Sequence, residues 1–257
     1  MEFLVICGTA FGASLLTFFT GFGLGTLLLP AFAAFFPAEV AVALTALVHL
    51  LNSLFKLVLV GRRANLLVAI RFGAPAMVAA FGGALVLGWL AGEGPLWTYA
   101  IAGRTREVMP VAFVIAVLMV LFAVLELSPR FKAVSLPVRY LPLGGLLTGF
   151  FGGLSGHQGA LRSAFLIRVG LDKEAFVATG VVIAAVVDLT RLAVYTPLFF
   201  GADLARHAPL LAAAVLAAGT GALAGNRLLH TIGLRSIEVG VAALLVIVAL
   251  GLGAGIL

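Results

Sequence analysis

Three observations predict an all-α integral membrane protein made of two inverted repeats, each a re-entrant helical hairpin followed by three transmembrane helices. Apolar runs longer than about 18 residues, the length that marks a membrane span, recur along the whole chain. Two of these runs are interrupted by glycine-rich polar stretches: Thr20-Gly21-Phe22-Gly23-Leu24-Gly25-Thr26, and GGLSGHQGALRSAFL at 152–166. The order of segments, one interrupted run and then three plain ones, occurs twice.

Composition supports the bilayer as solvent. Of 257 residues 63% are hydrophobic and 10% charged, against roughly a quarter charged in soluble domains, and the mean hydropathy is +1.24. No polar stretch is large enough to fold separately, so residues 1–257 form a single transmembrane domain. Met1-Glu2-Phe3 lacks the basic start of a signal peptide, and the first apolar run is expected to stay. Cys7 is the single cysteine and no Cys/His cluster has zinc-ligand spacing, so neither metal nor other cofactor is expected. The net charge of +6 contains no basic run longer than Arg62-Arg63. Such charge orients a membrane protein and does not point to nucleic acid.

Taken in order, residues 3–36 as one helix would be about 51 Å long, against a hydrocarbon core of about 30 Å. They therefore read as a broken helix. Plain spans at 39–60, 66–91 and 108–127 complete repeat one, about 1–127. A second broken segment at 141–169 and spans at 175–200, 208–227 and 236–256 complete repeat two, about 136–257. The breaks lie about 134 residues apart, and that offset also aligns Gly25 with Gly159, Thr45 with Thr179 and Pro75 with Pro209. Internal repeats of this kind are a signature of secondary transporters, which work by alternating access about a central site.

The breaks point to the site. Backbone leaves a helix inside a membrane only where protein or a water-filled cavity satisfies it. The half-helix that follows presents free N–H groups and the positive end of its dipole, an anion site without side-chain charge. Gly23, Gly25 and Thr26 at the first tip, and Ser155, His157, Gln158 and Gly159 at the second, are the candidate ligands there, with the anion between the tips.

Polar residues within the spans add to this set, because an ionisable group in a membrane usually faces a polar interior or a partner. His49, Asn52, Ser53 and Lys56 recur at i, i+3, i+4 and i+7 and share one helix face. The matching span carries Thr179, Asp188, Thr190 and Arg191, and the offset maps Lys56 to Thr190, beside Arg191. Lys56 either lines the cavity or snorkels to the basic loop at 61–63. Arg191 either contacts substrate or forms a structural pair with Asp188. Arg162, one turn past the second tip, points into the cavity or bonds Asp188 or a carbonyl. His49, His157 and Asp188 are the candidates for proton coupling, His157 also serving as a donor or a structural residue. Glu39 reads as a solvated helix start, and Trp89, Trp97 and Tyr99 as interfacial aromatics. Gly82, Gly83 and Gly88 permit close packing and leave room for a homodimer. Ser155 and His157 without an orienting acid make an intramembrane hydrolase the least favoured reading.

GFGLGTLLLP followed by ALTALVHLLNSLFKL, and GFFGGLSGHQGALRSAFL followed by EAFVATGVVIAAVVDLTRL, together resemble the sulfite exporter TauE/SafE family over essentially the full chain. The resemblance implies secondary active transport of a small sulfur oxyanion, sulfite or an organosulfonate, across the bacterial inner membrane, with protons as a candidate coupling ion. An anion channel, or a carrier for a different small organic anion, is the alternative. The chain departs from the family in lacking consecutive glycines followed by proline at both tips, with no proline at Ala164.

Charge settles orientation. If both broken segments crossed fully, loop Lys and Arg would divide almost evenly between the two sides. With hairpins, one side holds Arg62, Arg63, Arg71, Arg130, Lys132, Arg139, Arg168, Lys173, Arg227 and Arg235, and the other only Arg104, Arg106 and Arg206. The basic side is then cytoplasmic and both termini are periplasmic. A tag on the C-terminus of intact cells is expected to react with an impermeant label; a tag reached only after lysis contradicts the hairpin topology.

Overall fold

The apolar runs form helices because each backbone polar group left unpaired in hydrocarbon costs several kcal/mol, and a helix pairs them within one segment. The computed structural model describes residues 1–20, 24–101, 103–132, 134, 136–201, 204–228 and 235–257. Across them run α1 (Glu2–Thr20), α2 (Leu24–Ala33), α3 (Ala38–Val60), α4 (Leu66–Ala91), β1 (Trp97–Ile101), β2 (Arg104–Val108), α5 (Pro110–Leu127) and the single turn α6 (Pro129–Lys132). The second half holds α7 (Leu141–Ser155), α8 (Gly159–Leu166), α9 (Lys173–Gly201), α10 (Leu204–Leu228) and α11 (Arg235–Gly253). Among the described residues, stretches within α3, α4, α5, α9 and α10 are long and apolar enough to cross a membrane. The apolar part of α11 described in full, Ala242–Gly253, is shorter. The protein is a multi-pass helical membrane protein, and the six expected plain spans coincide with α3, α4, α5, α9, α10 and α11.

One element departs from the all-α expectation. Trp97, Tyr99 and Ile101 alternate with smaller residues, and an antiparallel register sets them opposite Val108, Arg106 and Arg104. Gly103, at a φ of 74°, lies in the turn between the strands. Trp97 and Tyr99 therefore belong to a hairpin that sits over the end of α11: the Tyr99 hydroxyl donates to Ala254 O at 2.5 Å, and the Trp97 ring meets Phe113 edge-on. Alternation over five residues is a strand period and cannot be accommodated by a helix.

Glycine spacing decides how the helices pair. Gly145, Gly149 and Gly153 line one face of α7, and a Cβ on any of them would collide with the carbonyl oxygens of Phe72, Ala76 and Ala80 on α4. Gly83 of α4 answers in kind, its missing Cβ making way for Phe150 O. A matching contact joins α10 to α1, where Gly221 and Gly225 lie against the carbonyls of Phe11 and Leu15. Without a hydrophobic drive between helices in lipid, this close approach is what brings them together. Gly83 is thus spent inside the chain, while Gly82 and Gly88 meet no atom within 4 Å.

α3 and α9 run antiparallel and cross near their middles. Arg63 meets Glu174 at 3.4 Å at one end, and His49 meets Asp188 at 2.5 Å at the centre. Asn65, which caps α4 through its side chain, also donates its backbone N–H to Thr179 Oγ1 at 2.9 Å. The α7–α8 segment doubles back on itself. Gly156 takes a φ of 83°, a left-handed conformation that ends α7. Leu136, just ahead of α7, then donates its N–H to Ala164 O near the end of α8 at 3.4 Å.

Substitution Gly149→Leu is expected to prevent α7 from seating on α4 and to cost at least the roughly 1–3 kcal/mol of an overpacked core. Gly82→Ala should leave thermal stability in detergent unchanged, which separates close packing from glycine content.

Candidate functional site

At the α3–α9 crossing the chain buries Lys56, Arg162, Asp188 and Arg191, each at most 6% exposed. Among the described residues these are the buried charges, three cations and one carboxylate. Placing a charge inside a membrane protein costs several kcal/mol unless partners or a polar cavity compensate it. The arrangement shows where the compensation comes from.

Asp188 is the hub. One oxygen, Oδ1, accepts from Arg191 Nε at 3.0 Å and Nη2 at 2.7 Å and from Gln158 Nε2 at 3.2 Å. The other, Oδ2, lies 2.5 Å from His49 Nδ1. Arg191 turns a further nitrogen to Gly152 O at 3.3 Å, and Tyr195 donates its hydroxyl to Gly153 O. Two α9 side chains thus bond carbonyls near the end of α7: Gly152 O, which also accepts from Gly156 N–H, and Gly153 O. Of the two roles open to Arg191, its contacts are those of the structural pair.

Next to this hub lies a nearly enclosed cavity. His49, Asn52, Ser53 and Lys56 of α3 line it with Arg162 and Leu166 of α8 and the 176–184 stretch of α9. The four polar residues expected on one face of α3 all reach it. Its free volume is about 30 Å³, room for about two waters at roughly 10–15 Å³ each. Asn52 Oδ1 accepts from Ser14 Oγ at 2.9 Å, which leaves the amide nitrogen as the end for a ligand. Arg162 passes beside Gly180, where a Cβ would lie in contact with its Nε at 3.4 Å. Arg162 also donates from Nη1 to Gln158 Oε1 at 3.3 Å. A ring of hydrogen bonds therefore leaves the cavity wall at Arg162, passes through Gln158 and Asp188, and returns to the wall at His49.

The tips sit elsewhere. A Cβ on Gly25 would come within 3.0 Å of Gly156 O, so the two tips touch and no anion fits between those two glycines. Gly23 lies outside the described residues. Thr26 bonds Glu126 of α5 at 3.3 Å, an acidic residue at the end of an apolar helix that drew no notice in the sequence because it reads as a loop charge. Gly159 opens α8 and does not line the cavity. Ser155 donates to Phe151 O at 3.1 Å, so His157 Nδ1, 3.1 Å from Ser155 Oγ, is the donor of that pair. The His157 ring stacks on Phe122 at 5.1 Å. With its hydroxyl hydrogen given to a backbone carbonyl, Ser155 has no base to activate it.

Fold and site define a class: a multi-pass membrane protein with buried cations beside a small polar cavity. The chain belongs to the sulfite exporter TauE/SafE family, whose model matches residues 6–252, and the family is one of membrane exporters of sulfite and related sulfur anions. No curated protein and no solved structure matches the chain.

Asp188→Ala strands Arg191 in the core without its carboxylate and is expected to cost about 3–5 kcal/mol. Arg191→Ala should fail in the same way, as loss of folded protein and not as loss of flux alone. Thr190→Ala is the control, since its hydroxyl bonds Val186 O of its own helix. Equal melting temperatures for all three would remove Asp188 from its structural role.

Proposed function

We propose that the protein is a secondary transporter of the bacterial inner membrane that binds sulfite, or a sulfonate as compact, in the cavity between α3, α8 and α9. The observation that carries this is the imbalance of buried charge. Lys56 and Arg162 both line the cavity, while Asp188, the one buried carboxylate among the described residues, faces Arg191 and His49. A doubly charged oxyanion would balance the centre and exchange its water for charge-assisted hydrogen bonds. The small volume disfavours bulky organosulfonates.

Alternating access follows from the pairing of the halves. α1 packs on α10 as α7 packs on α4, while α3 and α9 cross antiparallel. These contacts support a two-fold axis across the helices, the relation of inverted repeats, with the two hairpins as re-entrant elements and both termini periplasmic. In this conformation the cavity reaches towards the end of α9 that carries Lys173, the basic and hence cytoplasmic side. The touching tips close the path the other way, which favours a carrier over a channel. The contact between His49 and Asp188, one turn of α3 from Asn52 and Ser53, is the natural place for a coupled proton.

Sulfite uptake into liposomes containing the purified protein tests this. Lys56→Met and Arg162→Met are each expected to lower saturable flux roughly ten- to hundredfold, the worth of one hydrogen bond to a charged group. His49→Gln should keep basal flux and lose acceleration by a pH gradient. Flux unchanged by both cation substitutions would place the substrate elsewhere.

A further inference from the structure

A second binding site lies on the lipid-facing side, away from the charged centre. α5 and α11 pack together but leave an apolar groove of about 440 Å³ between them, lined by Ala116, Val117, Val120, Ala249, Leu250 and Gly253. Val117 is 50% exposed and Leu250 65%, so the groove opens outward. Phe113 and Ala254 mark its mouth, where the β1–β2 hairpin sits. Trp97 stacks edge-on against Phe113 and Tyr99 bonds Ala254 O, which turns the face bearing Trp97 and Tyr99 towards the mouth. Register places Arg106 opposite Tyr99 and Arg104 opposite Ile101, on that same face.

Arg106 is the informative residue. Its Nη1 reaches Ile256 O at 3.3 Å, a long bond, and its buried Nε has no partner. A guanidinium carries five donors and keeps its charge in any protein setting. The Glu107 side chain points to the opposite face of the hairpin, as strand alternation requires.

We propose that groove and hairpin together hold one anionic phospholipid, with an acyl chain along α5 and α11 and its phosphate between Arg106 and Arg104. Charge complementarity selects this occupant. An acyl chain alone would explain the groove but not two arginines at its mouth, on the side of the membrane otherwise poor in basic residues. A second copy of the chain docked here about a two-fold axis would bring each arginine pair towards its own image, an unfavourable approach of like charges. The site would fasten the hairpin over the end of α11, so that lipid stabilises a helix whose partner in the core is α5.

Native mass spectrometry of the full-length protein, exchanged from nanodiscs of equal phosphatidylglycerol and phosphatidylcholine, tests the assignment. One phosphatidylglycerol is expected to stay bound preferentially. Arg104→Gln and Arg106→Gln should each reduce that preference roughly fivefold, the usual worth of one basic residue near an anionic headgroup. Val117→Trp, which fills the groove from its exposed side, should reduce retention of both lipids. Arg104 pairs with Ile101 through its backbone, and its side chain has no hydrogen bond or ion pair among the described residues, so its substitution reads lipid contact even if Arg106→Gln disturbs the hairpin. Equal retention of the two lipids, a preference unmoved by Arg104→Gln, or a dimer that Val117→Trp dissociates would overturn the proposal.

Discussion

Asp188 sits where α3 and α9 cross, with no exposed surface, and its two oxygens hold α3, the start of α8 and, on its own helix, Arg191. A lone carboxylate in such a place would be untenable. Its neighbours make it a fixed point: Arg191 is anchored by it and in turn anchors the end of α7, Gln158 ties in the start of α8, and His49 ties in α3. The cavity lies beside these bonds, its Lys56 two turns of α3 from His49 and its Arg162 one turn of α8 from Gln158.

The rest of the architecture serves to bring that crossing about. Close contact between α7 and α4, and between α1 and α10, depends on glycine faces that let one backbone lie on the other's carbonyls. Those contacts support the broken arms from outside, and the α7–α8 tip leaves helical geometry at Gly156, where it meets Gly25. Among the described residues the β1–β2 hairpin has no counterpart in the second half, and the spacing between equivalent helices changes after it. Sequence offsets between the halves therefore align α3 with α9 well and α5 with α11 poorly.

Much of this was legible in the chain before any coordinates. Spans could be read because hydropathy over twenty residues reports directly on solvent, and the α3 face because its polar residues recur at helical spacing in an otherwise apolar run. Less legible was the division of labour among the cations. Lys56, Arg162 and Arg191 carry the same charge at similar depth, and only the angle of each helix decides that two line the cavity while the third braces Asp188. The Gly145, Gly149, Gly153 ladder was present in the sequence at its four-residue spacing, but it was obscured by a chain containing 31 glycines. The strands were short enough to pass for an interfacial loop. The paired breaks point to tips that meet, but not to the closeness of Gly25 and Gly156, since nothing in a glycine says how near another backbone will come.

The account stands or falls on where the anion sits. Selenite is the heavier congener of sulfite, and its selenium can be located by anomalous scattering in crystals of the protein. The predicted result is one selenium peak within hydrogen-bonding range of Lys56 Nζ and the Arg162 guanidinium, absent from Lys56→Met crystals grown alike. A peak at the tips beside Gly25 and Gly156, with the cavity empty, would contradict it.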